Sequence, residues 1–172
     1  GLERAFEADL PEEVGRAFLV LSATLVETRL GGRAHESLEQ GLEYCGDRGF
    51  ELFRLYLLAF LARLELNEGR WSEATESAAS VLRIPRTSTT PRILGLVVLG
   101  LVRARRGDPE QAPPLDEAWT LARPTGQLGR VGPVATAKNT APRPRGNRES
   151  GGVGKGVDAR WWRTLKTKNS AA

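Results

Sequence analysis

Apolar residues recur along the first two thirds of the chain at the three- and four-residue steps of amphipathic helices. Three apolar stretches are each followed directly by a glycine, at Gly32, Gly69 and Gly107, which lie 37 and 38 residues apart. A shorter stretch with small residues follows each glycine. A fixed period of this size is typical of stacked helical hairpins, in which no single hairpin buries its own apolar face. The pattern predicts an all-α protein, and arrays of this kind hold surfaces more often than they perform chemistry.

The same pattern predicts three antiparallel hairpins, at about residues 12–48, 50–85 and 91–123, and the start of another helix that breaks off at residue 137. The third helix, about Glu51 to Asn67, is the most apolar element, so we expect it to be buried between its neighbours. Ala74 and Ala78 in the next helix should allow two helix axes to approach closely. We therefore expect residues 1–137 to form one helical repeat array.

Local signals predict how several helices begin and end. Gly31 and Gly32 should end the first helix near Leu30, because glycine favours helix C-termini. The threonines before Pro91 can cap the fifth helix. Pro113 and Pro114 should shorten or kink the sixth helix, because proline lacks the backbone N–H that a helix interior uses.

The net charge of +4 conceals two different parts of the chain. Residues 1–137 contain 16 arginines and 19 acidic residues, whereas residues 138–172 contain nine basic residues and two acidic ones. All four lysines lie in this second part. The high isoelectric point therefore does not indicate that the helical part is basic.

The composition of residues 138–172 predicts a disordered basic tail. Glycine, proline and charged residues leave too little apolar surface to offset the entropy that the segment would lose on ordering. Basic side chains neutralise phosphates, and aromatic rings stack on exposed bases. The alternative function is therefore a small nucleic-acid-binding protein that acts through this tail. Its candidate contacts are Arg143, Arg145, Lys155, Trp161 and Trp162.

The turn and packing residues carry a resemblance to a known repeat. A first helix with a paired large and small residue leads to a turn glycine, and a turn aromatic precedes a second helix with small residues. The residues concerned are Leu99, Gly100 and Gly107 in one unit, and Gly69, Trp71, Ala74 and Ala78 in another. These units resemble tetratricopeptide repeats, although Glu65 and Arg103 stand where an aromatic residue is usual. The resemblance implies a short solenoid.

A narrower resemblance rests on six segments of packing and turn residues: 42–45, 52–58, 69–74, 99–109, 115–118 and 124–126. Together these resemble the helical-repeat region of large bacterial LuxR-type regulators, which carry an ATP-binding module upstream and a helix-turn-helix domain downstream. Neither the ATP site nor the DNA site of that family has a counterpart in this chain. The resemblance implies a non-catalytic scaffold or sensor module in transcription regulation. In that family the helix at Val134 would continue, so we expect a frameshift or truncation here.

Stacked hairpins usually bind their partners in the concave groove that the first helices line. The candidate groove contacts are Arg29, Arg54, Arg63 and Arg103. They would bind an acidic or extended peptide, a protein partner or a small inducer. Plain solvation and termination of helices by charge would account equally well for the same arginines, so both interpretations stay open.

The sequence shows no set of residues for catalysis, metal binding or a cofactor. His35 and Cys45 are the single histidine and cysteine, and ten residues separate them by roughly 15 Å along a helix. We interpret both as structural. The segment around Lys155 resembles the end of a phosphate-binding loop, but Gly156 stands where Ser or Thr would meet magnesium. We interpret the acidic pairs, such as Glu12 with Glu13 and Asp116 with Glu117, as solvated helix surface. We expect no enzyme activity.

The longest uncharged apolar runs fall short of the roughly 20 residues that span a bilayer. We therefore expect no membrane partner and a cytoplasmic location. The chain starts at Gly1 and contains no methionine, so we expect it to be a piece of a longer protein.

Overall fold

A computed structural model describes Glu3, residues 10–84 and residues 88–141 of the 172-residue chain. The ranges 10–84 and 88–141 form seven α-helices and contain no β-strand, so the predicted all-α class is confirmed for this part of the chain. Short 3-10 turns, Pro109–Gln111 and Arg123–Thr125, flank the sixth helix. The helices are α1 (Pro11–Glu27), α2 (Gly31–Asp47), α3 (Glu51–Asn67), α4 (Trp71–Leu82), α5 (Thr89–Arg106), α6 (Ala112–Ala122) and α7 (Leu128–Thr140).

Four of these helices end in the same way, with one residue in the left-handed region of backbone conformation. In the turn after α1, the amide of Leu30 donates to the carbonyl of Leu25 at 3.0 Å, and the other three turns repeat this bond. It defines a Schellman motif, whose left-handed position favours glycine because glycine has no Cβ. The four left-handed residues are Gly49 (φ 68°), Gly69 (φ 81°), Gly107 (φ 74°) and Arg29 (φ 59°).

The prediction that Gly31 and Gly32 end the first helix is wrong. α1 ends at Glu27, and both glycines lie in the first turn of α2. The left-handed turn position belongs to Arg29, an arginine that takes the conformation other turns give to glycine. The cost for a residue with a Cβ is of order 1–2 kcal/mol, small enough for the turn hydrogen bonds and packing to offset. The turn glycine predicted at Gly32 therefore lies three residues after Arg29, the residue that holds the left-handed position.

Packing connects each helix to the next one along the chain, and it also connects α1 to α3, α3 to α5 and α5 to α7. Among the described residues, the extensive contacts between alternate helices all join odd-numbered helices. α3 lies in the middle, in contact with α1, α2, α4 and α5. Leu57, Ala59 and Ala62 of α3 are fully buried, which confirms the prediction that this helix is covered by its neighbours.

Small residues let the helices approach closely, as the sequence predicted. Ala74 and Ala78 of α4 are fully buried in one cluster with residues of α3 and α5. At Gly100 of α5, a Cβ atom would lie 2.5 Å from Cγ of Leu115 in α6. A contact that short does not occur between real carbon atoms, so α5 and α6 pack at a distance that only glycine permits.

Two predictions about helix starts are wrong. α5 begins at Thr89 after Ser88, and no side chain caps it, so Thr89 and Thr90 lie inside the helix instead of before it. Thr87 lies outside the described residues. Pro113 and Pro114 lie in the first turn of α6, where the missing N–H has no helical partner to lose. α6 is therefore longer at its start than predicted, because these prolines initiate the helix and do not break it.

α7 continues through Lys138 to Thr140, beyond the predicted end of the array at residue 137. The ammonium group of Lys138 lies 2.5 Å from a carboxylate oxygen of Asp116 and 6.0 Å from the ring centre of Trp119. These contacts connect the end of α7 to α6. The first residue assigned to the tail therefore belongs to the helical part.

Candidate functional site

An open cleft of about 230 Å³ lies among the odd-numbered helices. α1 and the turn after it, α3, α5 and α7 all contribute to its lining. It therefore extends across α1, α3, α5 and α7, the helices that pack on one another without being consecutive in the chain. The lining residues are Val26, Glu27, Arg29, Phe60, Arg63, Asn67, Leu94, Val97, Val98 and Pro133.

The lining combines apolar and polar residues. Val26, Val97 and Val98 are almost fully buried, whereas Phe60 and Leu94 are partly exposed. The four polar lining residues come from the C-terminal part of α1, the turn after it, and the C-terminal half of α3. An apolar surface with a few convergent polar groups is the usual composition of a ligand site.

Positive charge dominates the polar part of the cleft. Burial lowers the pKa of the Arg63 guanidinium below its ordinary value, and the charges of Arg105 and Arg29 lower it further, whereas the carboxylate of Glu27 acts in the opposite direction. Arginine nevertheless stays charged in proteins. The charges of Arg29 and Arg105 thus act unfavourably on the charge of Arg63, and a bound anion would offset this repulsion.

The two arginines of the lining are not neutralised by close partners. The guanidinium groups of Arg29 and Arg63 form no hydrogen bond and no ion pair with another described residue. Arg105, by contrast, donates from Nη1 to the backbone carbonyl of Leu66 at 2.8 Å. Arg29 and Arg63 therefore keep donors available for a ligand, in the fork geometry that matches a carboxylate.

The other two arginines that the sequence assigned to the groove lie outside this lining. Arg54 precedes Arg63 by nine residues, which is about two and a half helical turns, so the two leave α3 in opposite directions. Its guanidinium pairs with Glu51 at 3.4 Å. Arg103 donates to the backbone carbonyl of Glu110 at 3.0 Å. The structure thus brings together Arg29 and Arg63, and it places Arg54 and Arg103 elsewhere.

The candidate contacts of the tail lie outside the described residues. These are Arg143, Arg145, Lys155, Trp161 and Trp162. The nucleic-acid alternative that depends on them stays a prediction.

His35 takes part in a polar cluster at the turn between α3 and α4. Its Nε2 lies 3.0 Å from a carboxylate oxygen of Glu68 and 2.6 Å from Nη2 of Arg70. The same Nη2 donates to Glu68 at 2.8 Å. Partial desolvation raises the pKa of the Glu68 carboxyl, but hydrogen bonds from His35 and Arg70 and their charges outweigh it, so the pKa is lowered overall. The cluster connects the start of α2 to the turn between α3 and α4, which agrees with a structural role for His35.

Cys45 lies in the hydrophobic core, as predicted. It is fully buried among residues of the first three helices. Burial raises the pKa of its thiol, with a smaller opposing effect from the charge of Arg48. A buried thiol with a raised pKa is unreactive, because the thiolate is the reactive form.

Glu65 is a buried carboxylate that was not among the candidate site residues predicted from the sequence. Only 6% of the residue is exposed, and its Oε2 has no hydrogen-bond partner among the described residues. Burial raises the pKa of this carboxyl, against the lowering effects of a hydrogen bond from Ser77 and the charge of Arg70. The one available signal was its position, since Glu65 stands where the resembled repeat has an aromatic residue.

The acidic pairs that the sequence assigned to the surface are exposed. Asp116 pairs with Lys138, and Glu117 pairs with Arg92 at 2.6 Å, so each belongs to a surface ion pair between helices.

Within the described part of the chain, no three histidine, cysteine or acidic side chains are grouped so that they could hold a metal ion. No helix there is long and apolar enough to cross a membrane.

No protein-family model, curated protein or solved structure matches this chain.

Proposed function

We propose that this chain is a non-catalytic helical-repeat module that binds a negatively charged ligand in the cleft among its odd-numbered helices. The packing of α1, α3 and α5 on one another, with α2 and α4 inserted between them along the chain, supports a short solenoid of the tetratricopeptide type. In such a solenoid the first helices of the hairpins line the binding surface. The cleft lies among those helices.

The observation that carries the proposal is the pair Arg29 and Arg63 beside an apolar lining. Both guanidinium groups lack close partners in the described structure, although partial burial and mutual repulsion make this arrangement unfavourable for Arg63. Charges kept in an unfavourable position at a concave surface are typical of ligand sites. The interpretation as plain helix solvation accounts better for Arg54 and its partner Glu51.

The resemblance of residues 10–137 to the repeat region of LuxR-type regulators supports a role within a larger protein. In that setting the module would sense a ligand or hold a protein partner and couple it to ATP-binding and DNA-binding modules. The nucleotide sequence around this locus tests this part of the proposal. An upstream phosphate-binding loop and a downstream helix-turn-helix in any reading frame would support it, and their absence from every frame would contradict it.

Hydrogen–deuterium exchange tests the binding surface itself. The full chain would be measured alone, with a glutamate decapeptide, and with a panel of monocarboxylates that differ in size and apolar content. We expect at least one of these anions to slow exchange at the end of α1 and in α3, and Arg63→Met to abolish the effect. Arg54→Met is the matched control on the same helix. If none of the anions protects these segments, the proposed binding surface is wrong.

A further inference from the structure

We propose that the ligand of the cleft is a small organic monocarboxylate with a compact apolar body, rather than an extended acidic peptide. This inference rests on the proposed function, and it specifies the chemical class of the ligand. Three properties of the cleft lead to it: its size, its balance of charge and the apolar surface that α5 contributes beside the arginines.

The size of the cleft favours a small molecule. Its 230 Å³ lies below the roughly 300–1,000 Å³ of sites that enclose a drug-sized ligand. At about 30 Å³ for each water molecule in the liquid, it holds about eight waters. Bonded atoms lie closer together than separate water molecules, so a ligand of roughly ten non-hydrogen atoms matches the volume of about eight waters. An extended peptide advances by about 3.3 Å per residue and would have most of its contacts outside the cleft.

The charges of the lining favour one negative charge on the ligand. Arg29 and Arg63 are the cations of the lining, and Glu27 is its carboxylate, so one positive charge remains after they are counted together. The charge of Arg105 adds to the positive field at Arg63, but Nη1 of Arg105 already donates a hydrogen bond to the backbone carbonyl of Leu66. A monocarboxylate satisfies this balance. A strongly acidic peptide would place further carboxylates close to Glu27.

The position of the arginines relative to the apolar residues sets the orientation of the ligand. Arg29 and Arg63 come from the turn after α1 and from α3, and α1 and α3 also contribute apolar residues. The contribution of α5 is apolar throughout and consists of Leu94, Val97 and Val98. The carboxylate would be held at the arginines, and the apolar body would cover the side chains of α5. Val97 and Val98 are already buried, so the ligand would extend an existing apolar surface instead of creating one.

Isothermal titration calorimetry on the full chain tests this inference with two acids and their neutral counterparts. The probes are octanoate and 4-phenylbutyrate, each compared with its primary amide, and the glutamate decapeptide. We expect each acid to bind at a single site and at least about tenfold more tightly than its amide, because charge-assisted bonds to arginine are lost in the amide.

Variants locate the site. Arg63→Met keeps most of the length of the side chain and removes its charge, and it should weaken octanoate binding by at least about tenfold. Arg29→Asn should do the same, because asparagine tolerates the left-handed conformation of residue 29. It serves as the second test if Arg63→Met fails to fold. Arg54→Met should leave the affinity unchanged.

Four outcomes would overturn the inference. Equal binding of acid and amide would show that the arginines are not used, and unchanged binding by both cleft variants would place the acid elsewhere. If neither acid binds the folded chain, the ligand class is wrong. If the glutamate peptide alone binds and Arg63→Met abolishes that binding, the proposed function stands while the small carboxylate is rejected.

Discussion

Arg29 has two roles in this chain, as the left-handed residue of a turn and as a cation of the cleft. Its φ of 59° is costly for a residue with a Cβ, and the equivalent residues of three other turns are glycines. A glycine at this position would relieve the strain but remove a positive charge from the lining. The placement of a strained residue at a candidate ligand site is a common compromise between stability and binding.

Arg29→Gly should therefore stabilise the fold and weaken anion binding. We expect the free energy of unfolding in urea to rise by about 0.5–1 kcal/mol, because the relief of strain exceeds the entropy that glycine adds to the unfolded chain. Gly69→Ala is the reciprocal control. Its φ is 81° with open space around the missing Cβ, so unfolding should become easier by about 1 kcal/mol from backbone strain alone. A loss of stability in Arg29→Gly would mean that the side chain contributes more than its backbone costs.

Glu65 should make stability depend on pH in the direction opposite to a carboxylate whose pKa is lowered by ion pairs in the folded state. Its pKa in the folded state is raised, mainly by burial, so the folded protein binds its proton more tightly than the unfolded chain does. The stabilisation that this proton provides is complete below the ordinary carboxyl pKa. It is lost as the pH rises through the raised pKa.

Glu65→Gln should remove this dependence. As the pH rises above the ordinary carboxyl pKa and through the raised pKa of Glu65, the wild type should lose stability relative to Glu65→Gln, since glutamine needs no proton to stay neutral. The difference between the two proteins isolates Glu65 from Glu68, whose lowered pKa acts in the opposite sense. Urea unfolding at several pH values measures it, and a difference that does not change with pH would contradict the assignment.

At the scale of the element, α5 carries two glycines with different reasons to be there. A Cβ on Gly100 would collide with Leu115 at 2.5 Å, whereas a Cβ on Gly95 would make its nearest contact at 3.5 Å, an ordinary van der Waals distance. Gly100 therefore sets the separation of α5 and α6. Gly95 only weakens the intrinsic helix propensity of α5.

Alanine substitutions at these two positions form a matched pair. Gly100→Ala should destabilise the protein by about 1–3 kcal/mol, because the added methyl group overpacks the interface. Gly95→Ala should be neutral or stabilising by up to about 1 kcal/mol, because alanine favours the helix. Thermal unfolding followed by circular dichroism compares them. Equal effects of the two substitutions would show that α6 can shift away from α5 without a cost in stability.

At the scale of the whole molecule, the proposed stack of hairpins predicts that stability is highest in the middle. α3 is covered by four other helices, whereas α7 contacts α5, α6 and the short turn between α6 and α7. Each unit of a repeat array is stabilised by its immediate neighbours, so the end units open first. The cleft reaches α7 through Pro133, which places part of the candidate site on such an end.

Amide exchange of the unliganded chain should therefore be slowest in α3 and faster in α7. A bound carboxylate should slow exchange in α7 as well, because binding to the folded form alone opposes opening. Equal exchange rates in α3 and α7 would indicate one cooperative unit and would argue against independent end hairpins. Gly95→Ala, which leaves the cleft lining unchanged, is a suitable control for changes in global stability.

Much of the helical pattern was predictable because it depends on local spacing. The observed α3 has the predicted bounds, Glu51–Asn67, and the turn glycines Gly69 and Gly107 take the left-handed conformations that glycine favours. The errors arose where two residue types can serve the same backbone geometry. Arg29 took a glycine position, and Pro113 began a helix that it was expected to shorten.

The candidate site was only partly predictable. The sequence identified arginines on the first helices of hairpins, and Arg29 and Arg63 do line the cleft. It could not distinguish Arg63 from Arg54, because both are arginines in α3 and the choice depends on how that helix is rotated against its neighbours. Burial of Glu65 depends on the same rotation.

The sequence by itself determined the all-α class, most of the helices and the buried character of α3, because these follow from the periodicity of apolar residues over a few turns. Only the tertiary structure decided that Arg29 and Arg63 meet beside an apolar surface of α5. The two arginines are 34 residues apart along the chain, and their proximity depends on the packing of α1 on α3. Such contacts between distant segments arise from the summed packing of many side chains, which no local pattern records.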